Sequence, residues 1–255
     1  MQYTTNAINI KSYPLGEGDN ILLAYSKTHG LIKCIAKGAK KTKSKLGGRS
    51  QVLIANKLQL HKGRNFDKIT QAESINTFSK IRQDFDKLSY SLYLADVISI
   101  FGSDSENDSE EIYNIFYKSL ENIADSKERK DILLNVIKFQ ISLIRKMGWG
   151  IDFKTCAKCG CNDLEYYYYS QKEKTMFCKE CSENIAGKLT KFPKKIADFL
   201  NEISNSEIGQ KTQYDDIINL KTVEVCFEFM KKYLESLSGK TQKFEDFSKC
   251  VSLNK

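Results

Sequence analysis

The sequence is poor in the residues that build linkers and membrane spans. It has two prolines in 255 residues and shows neither an internal repeat nor a low-complexity linker. No apolar run approaches the roughly 20 residues that a membrane-spanning helix needs. The first six residues lack the basic and apolar segments of an export signal. We therefore expect a soluble protein that is not exported.

Groups suited to acid–base catalysis at neutral pH are also scarce. The chain has two histidines, His29 and His61, and neither stands beside an evident nucleophile or orienting carboxylate. Gly16-Glu17-Gly18 lacks the third glycine of a dinucleotide-binding fingerprint, and the lysine-rich segment after it lacks the spacing of a Walker A loop. We therefore expect a binding protein and not an enzyme.

Positive charge is concentrated in the first third of the chain. Residues 1–80 contain 14 Lys and Arg against four Asp and Glu, whereas the remainder contains 26 against 28. Such asymmetry favours an amino-terminal region that binds a polyanion, attached to a roughly neutral domain. A merely solvated lysine-rich surface is the alternative.

The hydrophobic pattern divides the chain into a β region and a helical region. Short alternating runs separated by turn residues predict five strands, which suggest a small barrel or sandwich, at residues 7–13, 21–26, 31–36, 52–60 and 69–75. After Phe78 the period changes to about 3.6, which predicts amphipathic helices. Residues 131–147 are apolar over most of their circumference, with a narrow polar stripe that includes Lys138, as expected of the central helix of a bundle ended by Gly148. The acidic residues 103–109 are expected to form a surface loop.

Paired cysteines predict a metal site. Cys156 and Cys159 form one CxxC pair, and Cys178 and Cys181 form a second after 18 intervening residues, of which 166–169 and 175–177 are expected to form a hairpin. Two such pairs supply four thiolates to one tetrahedral Zn²⁺ and leave no open position, so we expect one structural zinc ion. Cys161 lies near enough in sequence to compete, although CxxC is the commoner geometry. Redox thiols or buried apolar cysteines are the alternative. The isolated Cys34, Cys226 and Cys250 stand among apolar residues, where a packing role is expected.

Six cations without an acid stand together after the third predicted strand. They are Lys37, Lys40, Lys41, Lys43, Lys45 and Arg49. A segment of this composition neutralises phosphates but does not by itself read base edges. We predict that these six residues bind the phosphates of a nucleic acid.

Several segments resemble the RecO family of bacterial recombination proteins. The opening resembles it at Gly16-Glu17, at Thr28-His29-Gly30 and at Ala36-Lys37-Gly38-Ala39-Lys40-Lys41. Met147-Gly148-Trp149 followed by Cys156-Ala157-Lys158-Cys159 resembles the central helix running into the family's zinc module. The stretch from Tyr233 to Lys240 resembles the closing helix and tail. Prolines that the family often has before the first cysteine and after the basic segment are absent here, so these two loops depart from the family pattern.

The resemblance implies an α+β protein: an OB-fold DNA-binding barrel at residues 1–80, then a helical domain at 81–255 with an inserted four-cysteine zinc ribbon-like module at about 153–186. It further implies a cytoplasmic, nucleoid-associated bacterial mediator that binds single- and double-stranded DNA and anneals complementary strands. The expected partners are RecR and the acidic carboxy-terminal tail of single-strand-binding protein, with a functional link to loading RecA.

Two other hypotheses fit parts of the pattern. One is an enzyme with a structural four-cysteine ribbon, such as a nucleotide-dependent transferase or deacylase, but this requires a phosphate loop or base that the sequence lacks. The other is a zinc-ribbon RNA-binding or translation-associated protein, which the composition alone permits.

Overall fold

A computed structural model of the protein describes residues 1–102, 107–208 and 210–239. Its described residues form two compact units, residues 1–127 and residues 128–239. Part of the acidic loop expected at 103–109, Lys240 of the expected tail and Cys250 lie outside the described residues. The predicted fold class, a closed barrel followed by helices and a four-cysteine module, is confirmed.

The first unit begins with a five-stranded barrel. Its strands are β1 (Gln2–Leu15), β2 (Asp19–Ser26), β3 (Gly30–Ala36), β4 (Ala55–His61) and β5 (Asp67–Asn76). They close in the order β1-β2-β3-β5-β4, which is an OB-like arrangement. The β3–β5 pair is parallel and the other pairs are antiparallel.

Closure depends on the long first strand. β1 pairs with β4 through its first half and with β2 through its second half, and its register with β2 shifts between Asn9 and Lys11. A bulge of this kind bends a strand, so that one strand serves both sides of a barrel. The interior is filled by alternate side chains of several strands, among them Ala7, Leu22 and the fully buried Cys34.

Three helices complete the first unit. They are α1 (Ser79–Arg82), α2 (Phe85–Phe101) and α3 (Ser109–Asp125). Asp84 caps α2 by accepting a hydrogen bond from the Lys87 backbone N–H at 3.0 Å. An ion pair of 2.6 Å between Lys11 and Asp96 joins β1 to α2. The compact unit thus continues to residue 127, and the domain boundary expected at residue 80 remains a proposal.

The second unit combines helices with a small sheet. Its helices are α4 (Arg129–Lys146), α5 (Lys179–Ser182), α6 (Lys194–Asn205) and α7 (Leu220–Ser238), and its strands are β6 (Tyr166–Ser170), β7 (Thr175–Phe177) and β8 (Leu189–Pro193). The three strands are ordered β7-β6-β8. A capping box of Glu128 and Asp131 starts α4, and Gly148 follows its end with φ +75°. None of the described helices combines the length and apolar character that a bilayer crossing requires.

Candidate functional sites: a basic loop and a four-cysteine cluster

The basic loop, residues 37–49, joins β3 to β4 and is anchored at its start. The Gly38 backbone N–H donates to the Asp19 carboxylate at 2.7 Å, and the Lys40 N–H donates to the Gly18 carbonyl at 3.0 Å. Gly38 has φ +66°, a conformation that costs glycine little. The loop therefore leaves the barrel beside the β1–β2 turn.

The far end of the loop is fixed from inside the barrel. The buried amide of Asn9 donates to the Arg49 and Gln51 carbonyls at 2.7 and 2.8 Å, and the Asn56 amide donates to the Arg49 carbonyl at 2.9 Å. Leu46 packs against the barrel core. Both ends and one apolar side chain thus hold the loop on the barrel.

The six cations of the loop differ in their surroundings. Lys37, Lys40, Lys41, Lys43 and Lys45 are exposed. Arg49 is half-buried, and its guanidinium donates to the Lys45 carbonyl at 2.9 Å. The Lys40 ammonium donates to the Gly16 carbonyl at 2.9 Å. The arrangement presents lysines without an acid in the loop, which suits contact with several phosphates of one polyanion.

The four-cysteine cluster lies in the second unit, beside the three-stranded sheet. Cys156 and Cys159 precede β6, and Cys178 and Cys181 follow β7 at the start of α5. The four sulfur atoms lie within 4.8 Å of one another, so together they could hold a metal ion. β6 and β7 form the hairpin predicted between the two pairs, and β8 adds a third strand that the sequence pattern did not indicate.

Each CxxC pair makes the same tight turn. The Gly160 N–H donates to the Cys156 carbonyl, and the Ser182 N–H donates to the Cys178 carbonyl, both at 2.9 Å. The Cys181 N–H also donates to the Cys178 sulfur at 3.4 Å. Backbone donors aimed at sulfur favour thiolates, the form in which cysteine binds metal.

The ionisation of the first pair agrees with this arrangement. Burial opposes ionisation of Cys156, but backbone hydrogen bonds from Cys159 and Cys178 lower its pKa to about 6. A hydrogen bond from the Cys161 backbone lowers the pKa of Cys159. Four thiolates in a closed tetrahedral set satisfy one ion without a water ligand, so the residues present fit a structural metal.

The remaining described cysteines have different surroundings. The Cys161 sulfur lies 3.2 Å from that of Cys159, on the border of the cluster but outside the set of four. Cys34 and Cys226 are fully buried, and burial raises the pKa of each thiol to about 12. Buried, protonated thiols of this kind agree with the packing role expected from the sequence.

Sequence reasoning missed a second group of basic residues on the barrel. His29, Lys33, Lys62 and Arg64 line a cavity between β3 and the β4–β5 turn. They come from three separate segments, so no run of basic residues marks them. These segments come together because β3 pairs with β5, and the sequence pattern does not indicate that pairing.

Two family models together match nearly the whole chain. A family model described as Recombination protein O N terminal matches residues 1–78, and one described as Recombination protein O C terminal matches residues 82–242. The chain is 29% identical over 233 residues to a protein of Acetivibrio thermocellus named DNA repair protein RecO, and the alignment covers 91% of each chain.

Two further relatives with the same name align over shorter stretches. The chain is 36% identical over 131 residues to that of Trichodesmium erythraeum, covering 51% of this chain and 45% of the relative. It is 41% identical over 118 residues to that of Nostoc punctiforme, covering 46% of this chain and 39% of the relative.

Proposed function

The chain belongs to the RecO family of DNA repair proteins, and on this premise we propose that it is a recombination mediator that binds single-stranded DNA without catalysing a reaction. The observation that carries the proposal is the basic loop, whose exposed lysines stand on a closed barrel with no acid among them. OB-type barrels with basic loops follow flexible nucleic-acid backbones in this way.

Strand annealing follows from the same chemistry. Two complementary strands repel each other through their phosphates, and lysines that neutralise phosphate reduce that repulsion. Complementary bases then pair without covalent chemistry and without nucleotide hydrolysis. Lys37, Lys40, Lys41, Lys43 and Lys45 supply this charge in our proposal, and Arg49 contributes charge while it also braces the loop through the Lys45 carbonyl.

The family resemblance supports the wider role. We propose that the protein acts with RecR to load RecA onto DNA coated by single-strand-binding protein, that it binds the acidic tail of that coating protein, and that it also binds double-stranded DNA. The proposed site of action is the bacterial cytoplasm, at the nucleoid.

The proposed metal is one Zn²⁺ bound by Cys156, Cys159, Cys178 and Cys181. When bound, it would supply a tetrahedral crosslink and no reactive position. The buried sulfurs of Cys156 and Cys178 pack with Phe177 in a small apolar cluster, so the residues around the site form a local core. The proposed role of the bound metal is to stabilise the fold of this module.

The experiment that tests the function is strand annealing with complementary oligonucleotides, with and without single-strand-binding protein, at several salt concentrations. We expect faster annealing than without protein at low salt, and a steep loss as salt rises. An RNA competitor at fixed salt distinguishes a DNA-repair protein from an RNA-binding one. Absence of both binding and annealing at low salt would contradict the proposal.

A further inference from the structure

A second cationic feature lies at the opposite end of the barrel from the basic loop. A cavity of about 610 Å³ opens there, and its lining includes His29, Lys33, Lys62 and Arg64. β3 runs from the cavity towards the basic loop, and β4 returns from that loop towards His61, so the two features lie at opposite ends of the same strands.

The cavity is a gap in the barrel wall. The β3–β5 ladder consists of Cys34 with Asp67 and Ile35 with Lys68. Within the described residues, the start of β3 therefore has no strand partner on the side facing the β4–β5 turn. Leu31 and Ile32 of this stretch line the cavity beside the cations. The cavity therefore has an apolar wall and a rim of basic side chains.

The contacts of Asp67 hold the other wall, which is the β4–β5 turn. This buried carboxylate accepts hydrogen bonds from the Gly63 N–H at 3.0 Å and from the Tyr3 hydroxyl, and Lys62 lies 3.6 Å away. A Cβ at Gly63 would stand 2.0 Å from the Phe66 carbonyl oxygen, so the turn requires glycine. Asp67 offsets part of the Lys62 charge, and its contacts fix the turn that carries Lys62 and Arg64.

The aromatic ring of His29 contributes to the cavity lining. The His29 ring, which lines the cavity, lies 4.6 Å from the Tyr3 ring between centroids, and its Nδ1 lies 2.6 Å from the Thr28 hydroxyl. Because these contacts hold the ring in place, little freedom would be lost if a base packed against it.

We propose that this cavity binds one nucleotide unit of a single DNA strand, with its phosphate between Lys33, Lys62 and Arg64 and its base against His29 and Leu31. The volume lies within the range of roughly 300–1,000 Å³ typical of small-ligand sites, which suits a unit of this size. The proposal rests on the proposed function. It adds a second contact, so that the barrel holds a strand at both ends.

The first test is a salt titration of single-stranded DNA binding by the variant Lys62→Gln/Arg64→Gln. Loss of two phosphate contacts should lower the slope of log affinity against log salt by up to about 1.4 and weaken binding on the order of tenfold at physiological salt. The matched control is Lys57→Gln/Lys68→Gln, which removes the same charge from exposed positions on β4 and β5 that do not line the cavity. Equal effects of the two variants would overturn the proposal.

The second test uses the ring NMR signals of the two histidines, assigned with His61→Gln. An oligothymidylate should shift the His29 signal in the unaltered protein, and the shift should disappear in Lys62→Gln/Arg64→Gln at the same oligonucleotide concentration. If the oligonucleotide binds and the His29 signal does not move, the cavity is not a strand contact.

A free nucleotide gives the third comparison. Thymidine monophosphate should shift His29 only at much higher concentration than the oligonucleotide, because the strand gains from contacts at both ends of the barrel. If both act at equal concentration, the cavity is a site for free nucleotides and the strand contact is wrong. If the unaltered protein binds no oligonucleotide at low salt, the proposed function itself fails.

Discussion

The amide nitrogen of Asn9, in the first barrel strand, lies 2.7 Å from the carbonyl oxygen of Arg49, the last residue of the basic loop. Asn9 is fully buried, and its backbone also exchanges hydrogen bonds with Leu53 and Ile54 after the loop. One interior side chain thus connects barrel stability to the position of the exposed lysines.

Replacing Asn9 with Ala should lower the free energy of unfolding by about 1–3 kcal/mol, because the two hydrogen bonds from its buried amide to the Arg49 and Gln51 carbonyls are lost. Urea denaturation measures the change. Asn20→Ala is the matched control, since the Asn20 amide makes a longer contact of 3.4 Å with the Ser50 hydroxyl. An Asn9 variant no less stable than the Asn20 variant would show that the buried amide does not hold the loop.

Replacing Lys40, Lys41, Lys43 and Lys45 together with Gln should weaken binding to all single-stranded sequences about equally. The slope of log affinity against log salt should fall by up to about 3 if all four contact phosphate, at roughly 0.7 for each contact. Annealing should slow in parallel. Salt titrations followed by fluorescence anisotropy measure the slope.

The control for this variant removes four exposed lysines elsewhere in the first unit, Lys57, Lys68, Lys80 and Lys118. It changes the net charge equally but should leave most of the slope, because charges farther than the Debye length of about 8 Å are largely screened. A slope unchanged by the basic-loop substitutions would move the DNA site elsewhere.

Purified protein should contain one zinc per chain. Metal analysis after preparation without chelator checks this, and less than about half an equivalent would count against the closed site. Cys178→Ser should lose the metal and much of its thermal stability. Cys161→Ser should keep the zinc content, because the four sulfurs within 4.8 Å of one another do not include that of Cys161. A loss of zinc in the Cys161 variant would instead make this thiol a ligand.

Asp215→Ala should destabilise the second unit by about 3–5 kcal/mol, because it leaves the buried Lys138 ammonium without its carboxylate partner and, among the described residues, with only the Gln210 carbonyl as acceptor. The two groups lie 2.7 Å apart with side chains only 7% and 12% exposed. Thermal or urea unfolding measures the loss. The double variant Lys138→Met/Asp215→Leu should recover much of it, and no recovery would mean that Asp215 acts through its bond to Thr212.

The order and type of the main elements could be predicted from the sequence. Alternation of period two marked five strands, and the change after Phe78 to a helical period marked the helices. Both patterns record which side of an element is buried, and this is a local property. The end of α4 shortly before Gly148 could also be predicted from local sequence, because a glycine that adopts positive φ ends a helix.

Pairings between distant segments could not be predicted. Sequence spacing placed Lys138 on the polar stripe of the central helix, yet its side chain is buried. Its ammonium donates a hydrogen bond to the carboxylate of Asp215, 77 positions later, which offsets the buried charge. In the same way, β8 joined the sheet of the cysteine module without a sequence signal, since its pattern of five residues is too short to distinguish a strand from a loop.

The sequence by itself therefore determined the cysteine pairs and the basic loop, because each depends on residues a few positions apart whose geometry is set by a single turn or loop. Only the tertiary structure decided that the two pairs meet within 4.8 Å, that Asn9 holds the loop, and that Lys33, Lys62 and Arg64 share one cavity. These relationships depend on strand pairing and barrel closure. Closure brings together segments whose separation along the chain carries no information about their distance in space.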